Sequence, residues 1–99
     1  MGGSDQTIVV GLCRVEIFLP DGHSLKDKRQ VLHSLKDRLK KLNVSVAEVG
    51  ELDLWQRSTL GVACVANEGA HVQRVLDQAL AMIHGVPTLE VLQSRTELL

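Results

Sequence analysis

The stretch TIVVGLCRVEIFLPDGHSLKDKRQVLHSLKDRLKKL, Thr7 to Leu42, decides the fold, because its hydrophobic period changes once within it. From Thr7 to Leu19 the period is two. Cys13, Val15, Ile17 and Leu19 point one way and Arg14 and Glu16 the other, the alternation of a strand with one buried face. Val10, Leu12 and Phe18 share the second face, which is therefore only partly polar. Pro20, Asp21 and Gly22 end the strand, since Pro and Gly disfavour continued pairing. From Ser24 to Leu42 the period becomes helical: Leu25, Val31, Leu32, Leu35, Leu39 and Leu42 form one apolar stripe. Ser24 followed by Asp27 has the form of a capping box, with Asp in place of Glu or Gln.

Outward from this unit, Asn43 to Val49 reads as a short Val-rich strand and Gly50 to Ser58 as a polar connection. Thr59 to Ala66 is a strand whose apolar run implies burial on both faces. Asn67 is placed to cap a second helix, Glu68 to His84, with Val72, Val75, Leu76, Ala79, Leu80 and Ile83 as its stripe. Gly85 suits its C-terminal cap and Pro87 prevents continuation. A last strand runs from Thr88 to Leu92 or a little beyond. The order βαββαβ packs most economically as two helices on one face of a four-stranded antiparallel sheet, an α+β, ferredoxin-like fold without any iron–sulfur cluster. Residues 1–6 read as a flexible lead-in and residues 7–99 as a single domain.

The composition, 44% apolar and 23% charged, is that of an ordinary globular chain, but Phe18 and Trp55 are its only aromatics. The core must be aliphatic, and base stacking on an aromatic platform is disfavoured. Cys13 and Cys64 lie far apart with no CxxC partner, so two reduced, buried thiols fit better than a disulfide. His23, His33, His71 and His84 show no metal-binding spacing. Glu48, Glu51 and Asp53 read as solvated acids rather than metal ligands. No metal or cofactor is expected. Acylphosphatases share the fold, but they need a Gly-rich loop with an Arg after strand one and an Asn in strand three. Here those segments are Pro20-Asp21-Gly22-His23-Ser24 and Leu60 to Ala66, so no catalytic residue is assigned. Met1 to Gln6 has neither the basic nor the apolar region of a signal peptide, and no apolar run reaches membrane-spanning length. The expected location is the cytoplasm, with no membrane partner.

Charge is strongly segregated. Ser24 to Leu42 holds seven basic and two acidic residues, or +5, while the rest holds four basic and 10 acidic, or −6. Such a polarised chain attracts phosphate-rich partners. Ser24, Lys26, Lys28, Arg29, Lys36 and Lys40 are the candidate phosphate- or RNA-binding residues. Cations at a helix start run against the helix dipole, a broken local rule that points to function. The competing reading is a solvated face.

Asp53, Trp55, Gln56 and Arg57 form the other candidate site, a partner-binding loop, since Trp and Arg dominate interface hot spots. The favoured alternative folds Trp55 back as a lid over the core, with Gln56 and Asp53 tying the loop. On the open sheet face, Val10, Leu12, Phe18 and the small residues of strand three leave apolar area exposed, which predicts a homo-oligomer.

Leu19-Pro20, Ser24-Leu25-Lys26-Asp27-Lys28-Arg29, Asn43-Val44-Ser45-Val46-Ala47-Glu48-Val49, Asp53-Leu54-Trp55-Gln56, Leu60-Gly61 and Asn67 together resemble the YlxP-like family, small bacterial proteins classed as a domain of unknown function. The resemblance spans the first strand to the second helix; the residues up to Gln6 and those after His84 match less closely. It implies the same ferredoxin-like fold and supplies no activity. Genes of such proteins often lie beside translation and ribosome-maturation genes, an association that favours RNA or ribosome contact without naming a site. The reading is a non-enzymatic cytoplasmic binding module that contacts RNA or a ribonucleoprotein through its basic first helix. The alternative is a homodimeric protein-interaction module without nucleic-acid binding.

Overall fold

Alternation along the first strand sets the layers. In a computed structural model that describes residues 7–99, β1 (Val9–Phe18) turns Cys13, Val15 and Ile17 into the core and leaves Leu12 and Arg14 exposed. α1 (Leu25–Leu39), β2 (Ser45–Gly50), β3 (Arg57–Ala66), α2 (Gly69–His84) and β4 (Glu90–Leu98) follow. The strands form one sheet in the order β2-β3-β1-β4, with every neighbouring pair antiparallel. β3 thus lies between β1 and β2, the split βαβ arrangement expected of a ferredoxin-like α+β fold. The lead-in assigned to residues 1–6 lies outside the described residues.

The core is a single aliphatic layer. Val15, Ile17, Leu60 and Val62 from the central strands meet Leu32, Leu35 and Leu39 of α1 and Val72, Leu76, Ala79 and Ile83 of α2. Gly11 permits this packing on the α2 side: a Cβ there would lie 2.5 Å from Val72 Cγ1 and 2.7 Å from Leu76 Cδ1. Cys13 and Cys64 are buried and unbridged, and burial pushes the Cys64 thiol above its ordinary pKa. No helix among the described residues is long and apolar enough to cross a membrane.

Besides the burial expected on both faces of β3, where Val65 is in fact 52% exposed, three local expectations need correction. β4 runs to Leu98, well past Leu92. Its second half, Gln93 to Glu97, is polar because β4 is an edge strand exposed over most of its length, so pairing with β1 holds it without an apolar pattern. Leu92 is the extra residue where the register shifts between Glu16 and Ile17. The second correction is at the start of α2, where Glu68 rather than Asn67 is the N-cap, with no side-chain cap bond. Third, α1 ends at Leu39, with Lys40 as its C-cap. Its start is as expected: Ser24 Oγ accepts from the Asp27 backbone N–H at 3.1 Å. The returning bond from Asp27 goes to the His23 N–H, one residue before the cap.

Candidate functional site

The outer face of α1 carries the basic groove. Lys26, Arg29, His33 and Lys36 line a depression of about 500 Å³ floored by Leu32 and bounded by Glu48 of β2. These positions recur every three or four residues and therefore share one helix face. Lys26, Arg29 and Lys36 have no carboxylate within ion-pair distance among the described residues. Lys40 lies beyond the groove and pairs with Asp37 at 3.3 Å. Ser24 is occupied as the cap. Of the six candidate phosphate-binding residues, three line the groove.

Lys28 is the clear correction. It is 1% exposed, the largest fully buried side chain, and cannot meet a phosphate from solvent. Its ammonium lies 2.8 Å from Glu48 Oε2 and donates to the carbonyls of Glu51 at 2.8 Å, Leu52 at 3.2 Å and Arg57 at 3.2 Å. Four oxygens surround a group with three N–H donors, so none is left for a ligand. Glu48 Oε2 also accepts from the buried Ser58 hydroxyl at 2.8 Å. A desolvated ammonium costs several kcal/mol unless it is fully partnered, which this cage achieves. The sequence held a signal for it. Lys28, Leu32, Leu35 and Leu39 follow the spacing of the buried stripe, so Lys28 occupies a core-facing position.

The cage holds the β2–β3 loop. Glu51 takes a left-handed φ of 61°, a conformation that disfavours a side chain, and its carbonyl points at Lys28. Farther along, the Leu19 N–H donates to the Gln56 carbonyl at 2.8 Å, and Gln56 Nε2 donates to the Pro20 carbonyl at 3.1 Å. Gly22 lets the Trp55 carbonyl approach; a Cβ on it would lie 2.7 Å from that oxygen. The backbone is pinned on both sides, yet the tip is apolar and open. Leu52 is 58% exposed, Leu54 47% and Trp55 54%. The expected lid is therefore absent: Trp55 does not close the core, because Lys28 and its carbonyl acceptors fill the interior side of the loop. Gln56 ties the loop as anticipated, whereas Asp53 makes no side-chain hydrogen bond or ion pair among the described residues. Asp53, Trp55, Gln56 and Arg57 surround a shallow depression of about 320 Å³.

The open sheet face holds a third feature. Leu12, Ala47, Val49 and Ala63 line a groove of about 590 Å³ whose charged rim is Arg14, Arg95 and Glu97. Arg14 and Arg95 are direct cross-strand partners, and neither has a carboxylate at ion-pair distance among the described residues. Like charges placed opposite one another destabilise a strand pair, so this one is sustained against a local cost.

A family model described as "Protein of unknown function (DUF503)" matches residues 10–96. The chain is 37% identical over 90 residues to the "Uncharacterized protein YlxP" of Bacillus subtilis (strain 168), covering 90% of this chain and 98% of that protein. Among solved structures it is similar to the "De novo designed protein Foldit4", with a TM-score of 0.53 at 15% identity over 91% of this chain and 96% of that one. It is also similar to a C-terminal segment of the alpha subunit of aIF2 from Pyrococcus abyssi, with a TM-score of 0.50 at 17% identity over 94% of this chain and 50% of that one. At those identities the structural likeness is one of fold alone.

Proposed function

The chain belongs to the DUF503 family, whose description assigns no activity, and we propose that it is a non-catalytic, single-domain binding module of the cytoplasm that engages structured RNA or a ribonucleoprotein through the outer face of α1. One observation carries this reading: Lys26, Arg29 and Lys36 converge on one groove with no carboxylate paired to any of them among the described residues. Glu48, the acid at the groove's edge, is already committed to Lys28. Unneutralised cations along a groove gain free energy from phosphates by releasing condensed counterions. Binding to a structured RNA, measured at two salt concentrations, tests it. Affinity should fall steeply with salt, and Lys26→Glu with Arg29→Glu and Lys36→Glu should abolish most of it. Unchanged binding by the triple variant would reduce the groove to a solvated face.

A second reading is favoured by the open face. An apolar groove beside an unneutralised arginine pair is the kind of surface that association covers, most simply as a two-fold homodimer. Light scattering on the purified protein distinguishes dimer from monomer.

A further inference from the structure

The loop and the open face are complementary. The loop presents Leu52, Leu54 and Trp55 flanked by the carboxylates of Glu51 and Asp53. The groove presents Leu12, Ala47, Val49 and Ala63 flanked by Arg14 and Arg95. We propose that the β2–β3 loop of one copy docks in the open-face groove of a second copy, its apolar tip in the groove and its two carboxylates on the arginine pair. The proposal rests on the homodimer reading and names the surfaces that make the dimer.

Three observations favour a second copy as the occupant. First, the charges match in sign. Both arginines and both loop acids lack ion-pair partners within the described residues, and an intermolecular pairing supplies them together. Glu97, the one acid on the groove rim among the described residues, leaves the rim net positive. Second, a chain cannot fill its own groove with its own loop. Lys28 holds the carbonyls of Glu51, Leu52 and Arg57 against α1, on the helix-covered side of the sheet, and Gln56 is tied to Leu19 and Pro20. Third, the loop backbone is already tied by Lys28 and by Gln56. An exposed apolar tip on a pinned backbone loses little conformational entropy on docking. Each copy has one loop and one groove, so a two-fold exchange, with each loop in the other copy's groove, would use all four surfaces.

Nucleic acid is a poor occupant of this tip, because Glu51 and Asp53 repel phosphate. The loop–groove contact and the α1 groove therefore serve different partners.

The test uses Trp55, the only tryptophan, as its probe. As the wild-type concentration rises, light scattering should pass from one chain to two. Over the same range Trp55 emission should shift to the blue and lose its accessibility to acrylamide. A groove-reversed variant (Arg14→Glu with Arg95→Glu) and a loop-reversed variant (Glu51→Lys with Asp53→Lys) should each dimerise at least tenfold more weakly. Mixed together, they should form a heterodimer, because each then supplies the charge the other needs. Recovery in the mixture also shows that both variants are folded. A wild type that is monomeric at every concentration overturns both this proposal and the dimer reading. A dimer whose Trp55 emission does not change, or whose charge-reversed forms associate as the wild type does, overturns the loop–groove contact and leaves the dimer reading standing.

Discussion

Lys26 and Lys28 belong to the same helix and the same basic run, yet one faces water and the other sits in the interior surrounded by oxygen. Lys26 is part of a groove in which it, Arg29 and Lys36 have no carboxylate at ion-pair distance among the described residues. Lys28 occupies the stripe of Leu32, Leu35 and Leu39 and spends its three N–H groups on one carboxylate and three carbonyls. The difference comes from position on the helix alone, since the two side chains are chemically identical. Counting charges along a segment therefore overstates its surface charge. Of the +5 carried by Ser24 to Leu42, one unit is internal and is balanced by Glu48.

The contrast is most easily broken at Lys28 itself. Lys28→Ala leaves Glu48 partly buried without its cation and the carbonyls of Glu51, Leu52 and Arg57 without its N–H donors. It should cost on the order of 3–5 kcal/mol, the range for breaking a buried pair from one side. Urea denaturation of the purified variant measures this. A loss below about 1 kcal/mol would mean that the cage is incidental and that the loop is held by Gln56 and the sheet.

Glu48→Gln is the next largest. The amide keeps the volume and an acceptor but removes the charge, while the ammonium keeps its three carbonyls. A loss of about 1–3 kcal/mol is expected, the cost of leaving a charged group short of a partner. Because the two residues touch, Lys28→Ala and Glu48→Gln should combine less than additively in a double-mutant cycle. Strict additivity would show that the 2.8 Å contact carries no coupling.

On the outer face the same helix should respond in the opposite way. Lys26→Glu with Arg29→Glu changes the charge by four units but breaks no ion pair among the described residues. Stability should shift by only about 0.5 kcal/mol in either direction, as for surface changes generally. RNA affinity, by contrast, should drop and lose much of its salt dependence. A large stability loss here would mean that these cations, like Lys28, have structural partners.

The sequence made some of this legible and hid the rest for identifiable reasons. β1 was readable because one of its faces is buried, so Cys13, Val15 and Ile17 had to alternate with Leu12, Arg14 and Glu16. The extent of β4 was not, because an edge strand with little burial needs no alternating apolar residues. Helical spacing puts Lys26, Arg29 and Lys36 on one side of α1, but the groove they line depends on Leu32 and on Glu48 of β2, which local spacing does not reveal. A lysine in a basic run reads as surface, which hides that the spacing of Lys28 to Leu32 and Leu35 places it on the inner stripe. Glu48 was equally opaque: nothing local in the sequence states that its partner lies 20 residues earlier on a different element. The exposure of Trp55 followed from that same hidden pair, since the ammonium and its carbonyl acceptors take the inner side of the loop that an inward-turned indole would have needed.

The smallest expected effect carries that point to its test. If Lys28 rather than Trp55 fills the inner side of the β2–β3 loop, Trp55→Ala removes a side chain that is already 54% exposed. Measured at a concentration where the protein is monomeric, the variant should be destabilised by no more than about 0.5–1 kcal/mol, the range of exposed positions. A core lid would instead lose about 3–5 kcal/mol, as buried large-to-small changes of aromatics do. The wild-type monomer should also emit at long wavelength and be quenched readily by acrylamide. Lys28→Ala sharpens the reading further: with the cage gone, the loop has reason to collapse inward, and Trp55 emission should move to the blue if the chain stays folded. A monomeric wild type with blue, protected emission would reverse the assignment, returning Trp55 to the core and removing the exposed tip on which loop docking depends.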